Sequence, residues 1–433
     1  MSIIQKICPF CTEFTTFTTH QMARLHIFNK HSILLPTNNC RTKLESIILV
    51  TQKIRHFSCP CCEYCTTSKD ELKLHVEEHG FKVPTLDNGS CWILQTTNVT
   101  AKFHGYFSSC LSSFKNNMDV DRYFNNLLCI SSVLVLQKRA KYESVPAEYF
   151  PPSLLANLHR EILKSLSLPS FLDPDLFMTI KGILHMYHEN QISNLATRQR
   201  LINLAMTKDG PEQSVVVAVE SLLPAMKDLD AGEIGESELA CSIVHPLIQS
   251  LLAYEMEEKT AKCTNTIPEN GTDVGRRPDY EVAVYEQYQL SFRTCFGELK
   301  GEGSSDVSAI MDFYRLGVFA KLEIVASNLT GVLCFQALGT TITFYTLTLP
   351  HPTLYTFTEI TTVTIPKTKN DIMSLICALD DLFKIATYHR TISKASEANT
   401  QLATLPFAFV QGKRKSLPVK RRPSLGSISN RKL

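Results

Sequence analysis

Four residues, Cys59, Cys62, His75 and His79, constrain the fold of this chain more than any others. They lie in FSCPCCEYCTTSKDELKLHVEEHG with the spacing Cys-x2-Cys-x12-His-x3-His. Two thiols so close together fit a tight hairpin. Two imidazoles four positions apart project from one helix face, about one turn from each other. The set closes a tetrahedral site of two thiolates and two imidazoles, the donor set of structural zinc. Phe57 and Leu72 stand where the small apolar core of such a unit belongs, and Cys61 and Cys65 are surplus to it. A second pattern precedes it, Cys8-x2-Cys11-x14-His26-x4-His31, with a longer loop. There Ala23 takes the core position, and His20 is an alternative ligand to His26.

Both patterns resemble C2H2 zinc fingers, and the resemblance covers residues 1–90. GFKVP after His79 is similar to the linkers of such fingers. The resemblance implies two ββα units holding structural Zn2+, with Ser68, Glu71 and Leu74 facing bases in the second. Leu74 is a poor base reader, and Glu71 at best accepts from cytosine. Residues 1–90 carry ten Lys and Arg against eight Asp and Glu, a thin footprint for phosphate. The fingers are therefore expected to bind either nucleic acid, DNA rather than RNA, or a protein.

Charge is distributed unevenly. The chain carries +2, yet nothing after Glu397 is acidic and eight Lys or Arg follow, in GKRKSLPVKRRPSLGSISNRKL. Taking those eight from the total of +2 leaves the rest at −6. Such a tail, residues 396–433, reads as a disordered nuclear-localisation or nucleic-acid-binding arm, with a nuclear import receptor as its partner. Phosphorylation of Ser416 or Ser424 would weaken either role. No apolar run reaches the ~18 residues of a membrane helix, and the N-terminus has no apolar secretory core, so no membrane association is expected. Fifteen cysteines, an odd number without regular spacing, suit a reducing compartment. The nucleus is the expected location.

The 433 residues allow two or three domains. Residues 91–205 read as mainly helical, with Ile180, Ile183, Leu184, Tyr187, Ile192 and Leu195 at helical spacing. Residues 206–395 read as helix, hairpin, helix, a β-rich stretch and a final helix. The hairpin is RRPDYEVAVYEQYQLSFRTCFGELKGEG, two alternating strands about a polar turn. Asp279 heads the first strand, and Glu298-Leu299-Lys300 ends the second after eighteen intervening residues. Residues i and i+2 of a strand share a face, so Glu298 and Lys300 point together while Leu299 points into the core. If the strands pair, Asp279 approaches Glu298, and two carboxylates can hold Mg2+ through hard oxygen ligands. Such a metal polarises a phosphate oxygen and acidifies a bound water, with Lys300 positioning that water. The plain alternative is a surface ion cluster of little consequence.

This arrangement resembles the PD-(D/E)xK nuclease superfamily over roughly residues 230–395. GRRPDY, FGELK and DFYRLGVFAK together are also similar to uncharacterised fungal proteins with that core. The resemblance implies a restriction-endonuclease-like α/β core with a central mixed sheet, and an overall α+β class for the chain. It makes Asp279, Glu298 and Lys300 the catalytic set, joined by an acid from the preceding helix, Glu238 first and Glu236 second. His245-Pro246 is expected to kink that helix. The implied function is that of a nuclear, zinc-binding, nucleic-acid-associated protein with a nuclease-like domain hydrolysing phosphodiesters with Mg2+. The alternatives are a non-catalytic transcription regulator or scaffold on the same fold, and an unrelated α+β domain.

Overall fold

The computed structural model describes residues 91–411 except 115–117, 139–140, 230–231, 265–276, 398–401, 403 and 406–409, with shorter pieces before them: 4–8, 10–11, 16–17, 22–23, 26–27, 30, 56–58, 65–66, 68 and 70–74. The protein mixes helix and sheet, and its centre is a seven-stranded mixed sheet in the C-terminal region. In chain order the strands are β1 (Val133–Leu136), β2 (Lys259–Cys263), β3 (Tyr280–Glu286), β4 (Gln289–Lys300), β5 (Gly331–Leu338), β6 (Thr341–His351) and β7 (Leu354–Thr364). In space they run β1-β7-β6-β5-β4-β3-β2. Consecutive strands from β2 to β7 pair antiparallel except β4 with β5, which are parallel, and β1 adds parallel to β7.

The sheet is buried on both faces, as its runs of β-branched and aromatic residues require. Helices α1 (Val99–Ser113), α2 (Val120–Ile130), α3 (Pro152–Ser165) and α9 (Asp306–Ser327) enclose one core with Val284, Phe296, Cys334, Tyr345 and Phe357. Helices α4 (Pro174–His188), α5 (Asn194–Ala205), α6 (Gly210–Leu222), α7 (Glu236–Leu239), α8 (His245–Leu252) and α10 (Leu379–Thr391) enclose the other with Val282, Leu299, Phe335 and Phe344. Residues 91–205, expected as a separate helical section, thus supply an edge strand and line both cores.

Three local features place the strand ends that matter below. The β3–β4 turn is Gln287-Tyr288, both at positive φ (51° and 65°), the type I′ geometry that suits strand twist. Register shifts at Val282/Ala283 and Val284/Tyr285 leave β4 with extra residues. Beyond them Phe296, Glu298 and Lys300 face α9, while Cys295 and Leu299 face the second core. Gly297 and Gly301 permit close approach. A Cβ on Gly297 would lie 2.1 Å from the Phe335 ring, and one on Gly301 2.8 Å from the Glu236 backbone nitrogen. The chain from α7 to α8 does not break at His245-Pro246. It passes through a π-helical turn, Ala240–Val244, in which the His245 N–H donates to the Ala240 carbonyl, and Pro246 follows in the first turn of α8.

In the N-terminal region, strands Ile4–Ile7 and Thr16–Phe17 pair antiparallel, as do His56–Ser58 and Cys65–Thr66. Ile4 and Gln5 pair parallel with His56 and Phe57, so the two hairpins share one four-stranded sheet. Leu72, Ala23, Ile27 and Cys8 are buried.

Candidate active site

Asp279, Glu298 and Lys300 come together at the ends of β3 and β4. Tyr280 pairs with Gly297, which sets Asp279 beside the last residues of β4. The Leu299 N–H donates to Asp279 Oδ2 at 3.0 Å. Asp279 and Glu298 lie within hydrogen-bond reach of each other, and Lys300 Nζ is 3.7 Å from Asp279 Oδ2.

Two side chains from α9 complete the cluster, and the strand pattern points to neither. Asp312 Oδ2 is 2.9 Å from Lys300 Nζ. Arg315 sits 3.2 Å from Asp312 and 3.3 Å from each oxygen of Glu298, and it donates to the Arg277 carbonyl. An acid and an arginine three apart within an otherwise apolar helix face are their sequence signal, because charges on a buried face are seldom there without partners. From β5, Gln336 lies opposite Glu298, donates to the Ala309 carbonyl at 2.7 Å and accepts from the Tyr142 hydroxyl at 2.5 Å. These bonds fix the start of α9 against the strand ends.

The helix acid that reaches the cluster is Glu236, 3.6 Å from Lys300 Nζ, and the bare Gly301 lets α7 approach β4 closely enough for it. Glu238 does not join. It lines a separate cavity with Lys227, Ser242, Lys367 and Thr368. Two residues along a helix rotate a side chain by about 200°, so only one of this pair can face Lys300.

Burial dominates the electrostatics. Glu298 has no solvent exposure, and desolvation pushes its carboxyl well above the usual carboxylate range. Arg315 opposes that shift, while Asp279 and Asp312 add to it. Burial likewise raises Asp312 against the pull of Lys300 and Arg315. For Lys300 burial favours the neutral amine, but Asp312, Asp279 and Glu236 outweigh it and hold the ammonium above its ordinary value. Four carboxylates face two cations, so the fully ionised cluster carries an excess of two negative charges.

The second candidate is a metal centre. Cys8, Cys11 and His26 bring their ligand atoms within 4.8 Å of one another, with Cys11 Sγ 3.1 Å from His26 Nε2. This group could hold a metal ion, and two thiols with an imidazole are a donor set suited to zinc. Burial pushes the Cys8 thiol up to about 11. Among the described residues it is the one group of three His, Cys, Asp or Glu side chains so closely gathered. His31 and His20, and all four ligands of the second pattern, Cys59, Cys62, His75 and His79, lie outside the described residues, as do Arg276 and the basic tail from 412 onward.

Two of the expected base-facing positions serve local structure. Ser68 Oγ accepts from the Glu71 N–H at 3.2 Å, the cap that Ser-x-x-Glu encodes, and the Glu71 carboxylate accepts from Thr66 Oγ1. Leu74 is exposed.

No protein-family model, curated protein or solved structure matches the chain.

Proposed function

We propose that the chain is a nuclear, zinc-binding, nucleic-acid-associated protein whose C-terminal region is a PD-(D/E)xK-type nuclease domain. The observation that carries this reading is the meeting of Asp279, Glu298 and Lys300 at one pair of strand ends. Supporting it is the element order: a helix (α7–α8), three antiparallel strands (β2–β4), a helix (α9) and a strand parallel to β4 (β5).

Asp279 and Glu298 are the residues that would hold Mg2+, an ion that takes one or two carboxylates and completes its shell with water. Their chemistry fits: two neighbouring hard oxygen donors, in a cluster that when fully ionised carries a surplus of two negative charges, which one divalent cation neutralises. When bound, the ion would polarise a phosphate oxygen and acidify a water. Lys300, kept cationic by three carboxylates, orients a water and offsets charge developing on the phosphoryl group. Asp312 and Glu236 hold Lys300 in place. Cys8, Cys11, His26 and His31 make the first zinc finger, and Cys59, Cys62, His75 and His79 the second. The fingers engage DNA or a protein, and the basic tail engages a nuclear import receptor.

One observation favours a second reading, a non-catalytic regulator or scaffold on the same fold. Arg315 approaches both oxygens of Glu298, so a metal must compete with a guanidinium for that carboxylate. Cleavage of plasmid and single-stranded DNA by the full chain in Mg2+ or Mn2+, beside Asp279→Asn and Lys300→Met, separates the two. The nuclease reading expects nicking by the wild type and its loss in both variants at unchanged folding. DNA left intact by the folded, zinc-loaded wild type rejects it.

A further inference from the structure

Beside the cluster lies a cavity of about 480 Å3 with a mixed polar and apolar lining. Its lining mixes the cations Lys262, Arg277 and Arg293 with the apolar side chains Phe296, Phe319 and Leu322, and Phe296 stands across from Glu281 in the β3–β4 ladder. The cavity joins the candidate active site directly. Arg277 and Pro278 run into Asp279, the Arg277 carbonyl accepts from Arg315, and the Arg315 guanidinium lies 5.4 Å from the Phe319 ring centre.

The cations of the lining are not uniformly available. Glu281 engages Lys262 at 3.1 Å and Arg293 at 2.7 Å, and Glu323 takes the other side of Arg293 at 3.5 Å. Two cations are thus balanced by two buried acids, which leaves Arg277 as the surplus charge. Among the described residues its Nη1 is buried with no hydrogen-bond partner. A buried guanidinium nitrogen without an acceptor is costly, and an incoming anion removes that cost.

We propose that this cavity seats one nucleotide of a single-stranded nucleic acid, its phosphate on Arg277 and its base against Phe296, Phe319 and Leu322. The inference rests on the nuclease reading for the identity of the ligand. A guanidinium and aromatic and aliphatic side chains in one cavity are the pairing that a phosphate and a base require, and bases stack without regard to sequence. The volume lies in the range of ~300–1,000 Å3 typical of small-ligand sites and excludes a duplex, so the strand must be unpaired where it enters.

The test is equilibrium binding of a fluorescein-labelled oligothymidylate of about six nucleotides to the full chain in Ca2+, a probe near the lower end of single-strand site sizes. Two variants are compared with the wild type. Arg277→Gln removes the charge but keeps the carbonyl that Arg315 uses. Leu322→Glu places an acid at the exposed apolar residue of the lining. Each is expected to weaken binding about tenfold, and Arg277→Gln to make the slope of log affinity on log salt shallower by about 0.7, the loss of one phosphate contact. The same variants should raise KM for cleavage while leaving kcat unchanged. Binding equal to wild type in both variants overturns the cavity assignment and leaves the nuclease reading intact. No binding by the wild type overturns it as well, as does equal competition by a short acidic peptide. Loss of cleavage chemistry is read separately, from the wild type and Asp279→Asn in Mg2+, so the two ideas fail by different results.

Discussion

Replacing Arg315 by Met should destabilise the protein in a strongly pH-dependent way. Glu298 is wholly buried, and Arg315 is the cation that meets both its oxygens, at 3.3 Å each. Removing one partner of a buried ion pair costs about 3–5 kcal/mol, because the remaining charge is left in a poor solvent. A Coulomb figure of about 5 kcal/mol at that separation, with an effective dielectric of ~20, agrees. Methionine keeps the aliphatic packing over Phe319, so the loss is mainly one of charge. At about 2–4 °C per kcal/mol, melting should fall by roughly 6–20 °C near neutral pH. The carboxyl of Glu298 has a higher pKa folded than unfolded, so the folded state binds the extra proton and this group's contribution to stability falls as pH rises. Loss of Arg315 raises the folded value further and deepens that fall. Near pH ~4.3, where the unfolded carboxyl is half protonated, the gap between variant and wild type should shrink to about 1–2 kcal/mol. Urea unfolding of both proteins at the two pH values measures it, and Glu298→Gln added to Arg315→Met should restore part of the loss at neutral pH. A gap of the same size at both pH values, or no rescue by the added Glu298→Gln change, would refute the buried-charge account.

Other consequences are simpler to read. Lys321 is fully buried on α9, burial holds its amine well below the ordinary lysine range, and Nζ donates to the Ser131 carbonyl. The folded state resists its protonation, so Lys321→Met should stabilise near neutral pH by about 1–3 kcal/mol, and the gain should fade toward pH ~10.4; thermal melts at both values test this. Gly297→Ala drives a methyl into the Phe335 ring and should cost about 1–3 kcal/mol, with Phe335→Leu recovering much of it in a denaturant titration. Cys11→Ala should remove one equivalent of bound zinc by elemental analysis, whereas Cys59→Ala removes a different one and the double variant both.

The two strands that carry the cluster were legible because alternation fixes which side chains share a face, and a short turn fixes the pairing. Residues 331–338, 341–351 and 354–364 were legible for a similar reason: their β-branched and aromatic runs admit little else. What escaped the sequence was long-range. Val133–Leu136 is a four-residue apolar run that periodicity cannot separate from a buried helix, and its pairing with Tyr355–Thr358 joins segments over two hundred residues apart. Asp312 and Arg315 read as part of an ordinary helix until β4 supplies Glu298 and Lys300. The choice between Glu236 and Glu238 turns on helix phase, which the π-helical turn and the contact at Gly301 set and no local pattern displays.

The strand Val133–Leu136 also decides where the chain can be cut. It covers Tyr355–Thr358 on the outer edge of β7, a strand of mainly Thr, Tyr, Phe, Val and Ile whose backbone groups otherwise seek a partner. The opposite edge, β2, is shorter and carries Lys259 and Lys262, charges that discourage pairing with another sheet. A fragment starting at 206 would keep every residue of the acidic cluster and lose the guard on one side. Such a fragment should aggregate edge to edge, and a failed nuclease assay on it would report on solubility and not on chemistry.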